Sequence, residues 1–271
     1  MGRSGPDALQ AHYARGLERA RLDSPAGVVE LERTKEILGR HLPPPPAVVA
    51  DIGGGPGRYA LWLAALGYHV RHRDIVALHV EQLRAEAGAW RGQIDTAVGD
   101  ARALDLPDGC VDAVLLLGPL YHLAARRDRL RALGEAARIV RPGGVVFAAA
   151  VSRWAPRLDG VLRLRLDREF PSADDDLKGV ERTGRLAPLF PGSFSGYCHR
   201  PGQLRAEARA AGLDVVAVVG VEGLSNFLAD LAARLGDPDG RRVVLESARA
   251  VEAVPELLGA SPHLLAVARR P

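Results

Sequence analysis

A glycine-rich stretch, Asp51-Ile52-Gly53-Gly54-Gly55-Pro56-Gly57, is the part of the chain that points most directly to chemistry. Glycine has no Cβ, so such a backbone turns sharply and can approach a ligand closely. The stretch overlaps the end of a short apolar run at 48–52, which is typical of a buried strand, and precedes a predicted helix at 58–66. The first N–H groups of a helix lack internal partners and attract acceptor groups of a ligand. We therefore predict a binding loop.

Two carboxylates flank this loop and narrow the choice of ligand. Asp74 follows the next predicted strand, about 20 residues beyond the glycines, where an acidic side chain can accept hydrogen bonds from ribose hydroxyls. The alternative for Asp74 is a surface residue that caps the following helix. Asp51 precedes the glycines, and a carboxylate there suits a cofactor with ammonium and sulfonium groups better than a pyrophosphate. The spacing Gly-x-Gly-x-Gly also departs from the nicotinamide-binding pattern Gly-x-Gly-x-x-Gly. Counted from Gly55, this chain has Arg58 where that pattern has its last glycine.

Alternating strands and helices must position these residues. Short apolar runs predict seven strands, at 48–52, 68–73, 94–98, 111–117, 145–151, 213–219 and 263–268. Helices predicted at 58–66, 78–87, 127–140 and 201–211 separate them. This rhythm predicts an α/β, Rossmann-like, doubly wound and mostly parallel sheet with helices on both faces.

Three further segments complete the predicted organisation. Residues 1–45 are expected to form an N-terminal helical cap, which ends at four consecutive prolines. The main domain then covers 46–271. It carries an inserted lid at about 152–200, which is long and irregular for a simple loop, and a helical segment at about 222–259.

Four sequence blocks together resemble the class I S-adenosylmethionine (SAM)-dependent methyltransferases. They are the glycine stretch, Asp74, the stretch 99–107 that contains Asp100, and the strand at 111–117 with the later Ile139-Val140-Arg141-Pro142-Gly143-Gly144. The resemblance covers residues 45–150 and is weaker through the last two strands. It implies SAM as cofactor, S-adenosylhomocysteine (SAH) as product and methyl transfer as activity.

The resemblance also implies a role for individual residues around the cofactor. Asp51 would face the ammonium group through water, and Asp74, followed by Ile75, would hold the ribose. Asp100 would accept from the adenine amino group beside the Ala101 backbone. The remaining cofactor candidates are Gly53 and Gly55 beside the methionine and ribose, Leu117 and Gly118 beside the methionine, Arg33 at its carboxylate, and Tyr13 closing over the cofactor. A surface ion pair is the alternative for Arg33.

The catalytic candidates lie close to where the methyl group would sit. Ligands of open α/β sheets bind outside the carboxyl ends of the strands, so Tyr121 and His122, after the fourth strand, are expected beside it. Histidine titrates near neutral pH, which makes His122 and His199 candidate general bases. The alternatives are a structural histidine at His122 and a role at the start of a helix for His199. Glu222 is a third candidate base.

Some side chains are expected to have no part in the chemistry. His263, at the start of the last strand, is expected to be structural. The remaining histidines show no metal-ligand spacing, and we predict no metal site.

Composition narrows the function classes. The chain has 271 residues and a formal charge of only +3, without a clustered basic face, so we expect no nucleic-acid partner. Two cysteines suggest neither a disulfide framework nor a metal site. No signal-peptide core or membrane-length apolar run is seen, which leads us to expect a cytoplasmic protein that does not bind membranes. We expect a monomer or homodimer.

Small-molecule methylation is the function this sequence favours. The acceptor atom, whether oxygen, nitrogen or carbon, stays open, and a place in secondary metabolism is a hypothesis from the lid and the composition. One alternative is an NAD(P)-dependent oxidoreductase, which the loop spacing disfavours. The other is a non-catalytic SAM-binding or nucleic-acid-associated module. Methylation of nucleobase nitrogens loses support because Gly118-Pro119-Leu120-Tyr121 stands where an Asn/Asp-Pro-Pro-Tyr block would.

Overall fold

Strand pairing in the computed structural model, which describes residues 18–170, 173–188 and 195–271, builds a mixed and mostly parallel sheet. The strands are β1 (Val48–Ile52), β2 (His69–Asp74), β3 (Ile94–Val98), β4 (Val111–Leu116), β5 (Val140–Ser152), β6 (Arg185–Leu186), β7 (Gly196–His199), β8 (Asp214–Gly220) and β9 (His263–Arg269). The seven strands predicted from the sequence take the order β3-β2-β1-β4-β5-β9-β8. The Rossmann-like prediction is thereby confirmed, with two short strands added.

Helices cover both faces of this sheet. They are α1 (Glu18–Arg21), α2 (Pro25–Gly39), α3 (Arg58–Ala65), α4 (Ala77–Glu86), α5 (Pro119–His122), α6 (Arg126–Ile139), α7 (Leu166–Glu169), α8 (Ala173–Thr183), α9 (Pro201–Ala210), α10 (Leu231–Gly236) and α11 (Pro238–Val251). Alternate residues of β4 enter different cores: Leu115 packs with α2 and α3, and Leu116 packs with α6 and α9. Burial on both faces explains why the central strands are continuously apolar.

The last two strands run antiparallel and bring the start of β9 to the carboxyl ends of the parallel strands. β9 runs antiparallel to β5, so that its first residue, His263, lies opposite Val151 near the end of β5. β8 is antiparallel to β9 in turn, and Gly220 at its end pairs with Leu264. The start of β9 therefore meets the carboxyl ends of the parallel strands.

The segment predicted as a lid returns to the sheet. It begins after β5 with a π-helical turn at Pro156–Arg163, and its β7 pairs in parallel with the end of β5, Ser152 opposite His199. Buried Arg153 fastens the two ends, since its Nε lies 2.8 Å from the Cys198 carbonyl and its Nη2 2.7 Å from Gln203 Oε1. The described part of this segment is thus anchored at the same edge as the glycine loop.

The N-terminal helix α2 begins where its sequence indicates. The Ser24 side chain accepts a hydrogen bond from Gly27 N–H at 3.1 Å, and Pro25 occupies the first turn, where a missing N–H costs nothing. Its Val29 packs with Leu231 of α10 and Val244 of α11. Among the described helices, none combines the length and apolar content of a membrane span.

Candidate functional site

The glycine loop between β1 and α3 has a backbone that requires glycine. Gly57 has φ +90°, and a Cβ there would lie 2.4 Å from Leu83 Cδ1 of α4. Gly118, just after β4, passes so close to the loop that a Cβ would lie 2.9 Å from the Gly53 carbonyl oxygen. Neither position can accept a side chain without rearrangement, since the first also has a left-handed backbone. The loop and the end of β4 therefore form one bare surface.

A cavity of about 950 Å³ opens over this surface. The ends of β1, β2 and β4, the short helix α5 and residues after β3 all contribute to its walls. Most of the residues predicted from the sequence line it: Asp51, Gly53, Gly55, Asp74, Ile75, Asp100, Ala101, Leu117, Gly118, Tyr121 and His122. The fold thus brings residues from four strand ends to one place, as parallel strands should.

Asp74 ties the glycine loop to the end of β2. Its Oδ2 accepts from Gly55 N–H at 2.8 Å, and its Oδ1 accepts from Val76 N–H at 2.8 Å and lies 3.2 Å from His79 Nδ1. Burial acts to raise the pKa of Asp74, but these hydrogen bonds outweigh it and the pKa is lowered. Asp74 is therefore an ionised acceptor with its carboxylate fixed at the cavity wall.

Asp51 is the opposite case, a carboxyl group for which a weak backbone interaction with Ala60 does not offset the effect of burial. Its side chain is fully buried, and neither oxygen makes a well-formed hydrogen bond with any described residue. Burial raises the pKa of Asp51 to about 7, and the nearby charge of Asp74 adds to the shift. A buried group with an unmet demand for positive charge at a cavity wall is a candidate for contact with a cationic ligand.

Asp100 lies further along the cavity, after β3. Its Oδ1 accepts from the Arg102 backbone N–H at 2.9 Å, and its Oδ2 lies 2.6 Å from Arg102 Nη2. This side-chain hydrogen bond lowers the pKa of Asp100. The arrangement leaves acceptor capacity on the carboxylate, so the predicted contact with an amino group fits the site.

The same cavity holds groups that can exchange protons, and some of them lie close to the glycine loop. A Cβ at Gly118 would lie 3.7 Å from the Tyr121 hydroxyl oxygen. The rings of Tyr121 and His122 lie with centroids 4.8 Å apart, and burial raises the pKa of the Tyr121 phenol. Arg21 of α1, Glu30 of α2 and His263 of β9 also line the cavity. His263 is hydrogen-bonded through Nδ1 to Glu222, just after β8. We call Arg21, Glu30, Glu222 and His263 the acid–base cluster.

Sequence reasoning missed most of this cluster. Glu222 was predicted as a candidate base, and His263 was expected to be structural. Nothing in the sequence pattern predicted a role for Arg21 or Glu30. One signal was present: the last strand of such a sheet runs antiparallel, so its first residue reaches the edge where the other strands end. A histidine at that position therefore faces the same cavity as the residues that follow β1 and β4.

Arg33 does not reach the cavity that was predicted for it. Its guanidinium is fully buried and pairs with Glu36 and Glu252, and its Nε lies 3.4 Å from the Val221 carbonyl. These partners satisfy the charge, so the ion-pair alternative describes this residue, although it is buried rather than at the surface. Tyr13 lies outside the described residues.

His199 is likewise kept away from the cavity. It is fully buried on β7, and its Nε2 lies 3.3 Å from Glu207 Oε2 of α9. Arg129 of α6 completes the network, with Nη2 2.7 Å from Glu207 Oε1 and its guanidinium 3.6 Å from the ring centre of Tyr197. Burial lowers the pKa of His199. Since it is enclosed in this network, we correct the prediction of a catalytic base to a structural role.

Comparison with known proteins agrees with this geometry. Residues 50–148 match the family model described as a methyltransferase domain. A ubiquinone/menaquinone biosynthesis C-methyltransferase of Acidiphilium cryptum is 39% identical over 122 residues, which are 44% of this chain and 48% of that protein. The chain spans about half the length of the curated relatives it matches.

Solved structures extend the likeness to nearly the whole fold. A SAM-dependent methyltransferase from Thermotoga maritima, described as a possible histamine N-methyltransferase, superposes with a TM-score of 0.59 at 19% identity and covers 96% of this chain and 98% of that one. The geranyl diphosphate C-methyltransferase of Streptomyces coelicolor, solved with Mg²⁺, geranyl diphosphate and SAH, gives 0.52 at 16% identity, with 89% and 80% covered. At these identities the likeness shows the fold.

Proposed function

We propose that this chain, whose residues 50–148 match a methyltransferase domain, acts as a class I SAM-dependent methyltransferase and transfers the methyl group of SAM to a small-molecule acceptor. One observation carries the proposal. The glycine loop, Asp74 and side chains that can exchange protons all line a single cavity. The family and the fold identify SAM as the cofactor, whereas the substrate class has to be inferred from the residues that line the cavity.

The residues of the glycine loop and of the neighbouring strand ends fit SAM. Gly53 and Gly55 offer backbone without side chains to the methionine and ribose, and Asp74 offers ionised oxygens to the ribose hydroxyls. The unmet charge of Asp51 suits the ammonium group, and Asp100 suits the adenine amino group. Leu117 and Gly118 would border the methionine, and the Ala101 backbone would lie beside the adenine. When bound, SAM supplies an electrophilic methyl group.

The remaining part of the cavity suits a small acceptor. A cavity of about 950 Å³ leaves room beside the cofactor for a molecule of modest size. Tyr121 and His122 line the cavity, which keeps them as predicted contacts of the acceptor. One of the compared methyltransferases is named for ubiquinone/menaquinone biosynthesis and another for geranyl diphosphate, which supports a small-molecule acceptor here.

Calorimetric titration separates this proposal from a nicotinamide enzyme. Purified protein is expected to bind SAM and SAH and to show no heat of binding with NAD or NADP. A screen of hydroxyl, amine and activated-carbon compounds with methyl-labelled SAM should then yield a labelled product. Binding of NAD without SAM would overturn the family-based function, and binding of SAM without transfer to any compound class would favour the non-catalytic alternative.

Asp51 predicts how cofactor affinity depends on pH. Its carboxyl is about half protonated near pH 7, and pairing with the ammonium group requires the ionised form. SAM affinity should therefore fall as pH drops from 7 to 5.5, with a slope that approaches about tenfold per unit. Titration calorimetry in buffers of different ionisation enthalpy should also detect a released proton.

Asp51→Asn is the matched variant for this measurement. It keeps the size of the side chain but cannot titrate, so its SAM affinity should be weaker at pH 7 and nearly constant down to pH 5.5. It should also be more stable than the parent at pH 7, since a raised folded-state pKa costs stability as pH climbs from about 4 to 7. An unchanged pH slope in this variant would assign the proton to another group.

A further inference from the structure

The His263 ring stands in the cavity wall with its two nitrogens in different situations. Its Nδ1 is hydrogen-bonded to Glu222 Oε1, whereas its Nε2 makes no hydrogen bond with any described residue. The side chain is 24% exposed, and the ring contributes to the lining of the cavity. Nε2 is therefore the ring nitrogen that a molecule in the cavity can reach.

Glu222 is built to orient this ring. The carboxylate is almost fully buried, and its Oε2 accepts from Ser261 Oγ at 2.9 Å and from His263 N–H at 3.1 Å. Its own N–H donates to Ser261 Oγ at 3.1 Å, which fixes the start of the segment. Because Oε1 can only accept, neutral His263 must carry its proton on Nδ1 and keep the lone pair on Nε2.

The surrounding charges favour a proton on this ring. Glu30 Oε2 lies 3.8 Å from His263 Nδ1, and Arg21, which binds Glu30 at 2.5 and 3.0 Å, supplies the opposing positive charge. Arg21 also binds Glu18 at 2.7 Å. Burial acts to lower the pKa of His263, but Glu222 and Glu30 outweigh it and raise the pKa to about 9. At pH 7 the ring is therefore mostly an imidazolium, and the neutral form that can accept a proton at Nε2 becomes abundant only as pH approaches 9.

We propose that Glu222 and His263 form a dyad in which Nε2 of neutral His263 takes a proton from the methyl acceptor, which attacks through the lone pair of an oxygen or nitrogen that carries a hydrogen. The proposal deepens the function proposed above and rests on it. As the acceptor's electron pair forms its bond to the methyl carbon, the C–S electron pair stays on sulfur and the acceptor proton moves to Nε2. Glu222 acts through His263 and is a positioning residue.

A divalent cation is the competing occupant of the same place. Ligand atoms of Glu30, Glu222 and His263 all lie within 4.8 Å of one another, close enough to bind one ion. The dyad is favoured because existing partners already meet these charges: Arg21 neutralises Glu30, and Nδ1 engages Glu222. A metal would have to displace the Nδ1 proton and compete with a guanidinium.

Histidine ring NMR of the SAH-bound protein tests the dyad without an acceptor. In ¹⁵N-histidine-labelled protein, His263 should titrate near pH 9 and appear above that pH as the Nδ1–H tautomer. Glu222→Gln should move the titration back toward the ordinary histidine range. A neutral ring protonated on Nε2, or loss of the Nδ1 proton on addition of micromolar Zn²⁺, would overturn the proposal.

Diethyl pyrocarbonate, which modifies neutral imidazole, gives a chemical readout by peptide mapping. Modification of His263 should rise with pH through about 9, and SAH should leave it reactive. Exposed His69 and buried His199 serve as the reactive and unreactive references in the same digest. A His263 that stays unreactive at pH 10 would show that Nε2 is inaccessible, whatever the protein's activity.

Turnover of an acceptor found in the methyl-label screen completes the test. His263→Gln should lower kcat about 100-fold or more while SAM affinity stays within threefold. Glu222→Gln should keep part of the activity and shift the acidic limb of the kcat profile to lower pH. His69→Gln, at the opposite edge of the sheet, is the control. Unchanged kcat in His263→Gln would remove the proton-accepting role, whereas absent SAM binding in the parent protein would refute the proposed function instead.

Discussion

Asp74→Ala is expected to weaken SAM binding by about 100-fold or more, the largest loss that a single cofactor-side substitution should produce. Hydrogen bonds to a charged acceptor are worth about 1.5–3 kcal/mol each, and the ribose would lose two of them. The substitution also frees Gly55 N–H and Val76 N–H, which Asp74 holds at 2.8 Å each. The glycine loop would thus lose both its ligand contact and its tie to β2.

Calorimetric titration with SAM and SAH measures this loss, and thermal unfolding must accompany it. Asp105→Ala is the matched control, because Asp105 is an exposed carboxylate after β3 that pairs with Arg73 at 2.7 Å outside the glycine loop. Its SAM affinity should stay within about twofold of the parent. If Asp74→Ala stayed folded and bound SAM within threefold of the parent, Asp74 would not hold the ribose.

Glu207→Ala is expected to cost about 3–5 kcal/mol of unfolding free energy, because removal of one partner leaves buried charge uncompensated. Glu207 binds Arg129 through hydrogen bonds of 2.8 and 2.7 Å and lies 3.3 Å from His199. Burial opposes ionisation of Glu207, but Arg129 and His199 outweigh it and lower the pKa to about 2. Denaturant unfolding at pH 7 measures the effect.

The control for Glu207 is an exposed ion pair of similar chemistry. Glu246 on α11 lies 3.0 Å from Arg242, and its removal should cost less than about 1 kcal/mol. The double variant Arg129→Met with Glu207→Leu should recover part of the loss, since no charge is left buried. Because a depressed pKa contributes stability only above the ordinary glutamate range, the parent's advantage over Glu207→Ala should shrink as pH falls from about 4.5 toward 2. An equal cost for Glu207→Ala and Glu246→Ala would refute the network's structural role.

Local patterns predicted the sheet well because its central strands are apolar on both faces. The strands predicted at 48–52 and 111–117 agree with β1 and β4 to within one residue. β5 is the informative exception: it begins at Val140, where a helix was expected to continue. No element was predicted at 141–144, between the helix at 127–140 and the strand at 145–151. In the structure β5 passes through Pro142-Gly143-Gly144, with a register shift opposite Val111 and Ala113. Gly143, at φ +76°, makes that passage possible.

The part of the cavity lining that comes from the glycine loop and Asp74 was predictable, whereas most of the acid–base cluster was not. The glycine loop and Asp74 lie within one strand–helix–strand unit, so that short-range spacing carries the information. Arg21 and His263 meet only through tertiary packing, from opposite ends of the chain. Periodicity also cannot predict which partner an arginine finds: buried Arg33 pairs with Glu252, whereas partly exposed Arg21 pairs with Glu30 at the cavity wall.

The antiparallel return of β9 has a consequence for how such a protein can diversify. The matched methyltransferase domain ends at residue 148, before Glu222 and His263, and it begins at residue 50, after Arg21 and Glu30. Every member of the acid–base cluster therefore lies outside the matched domain. Under the proposed function, substitutions in the flanking segments would change the contacts with the acceptor while the glycine loop and Asp74 stay as they are.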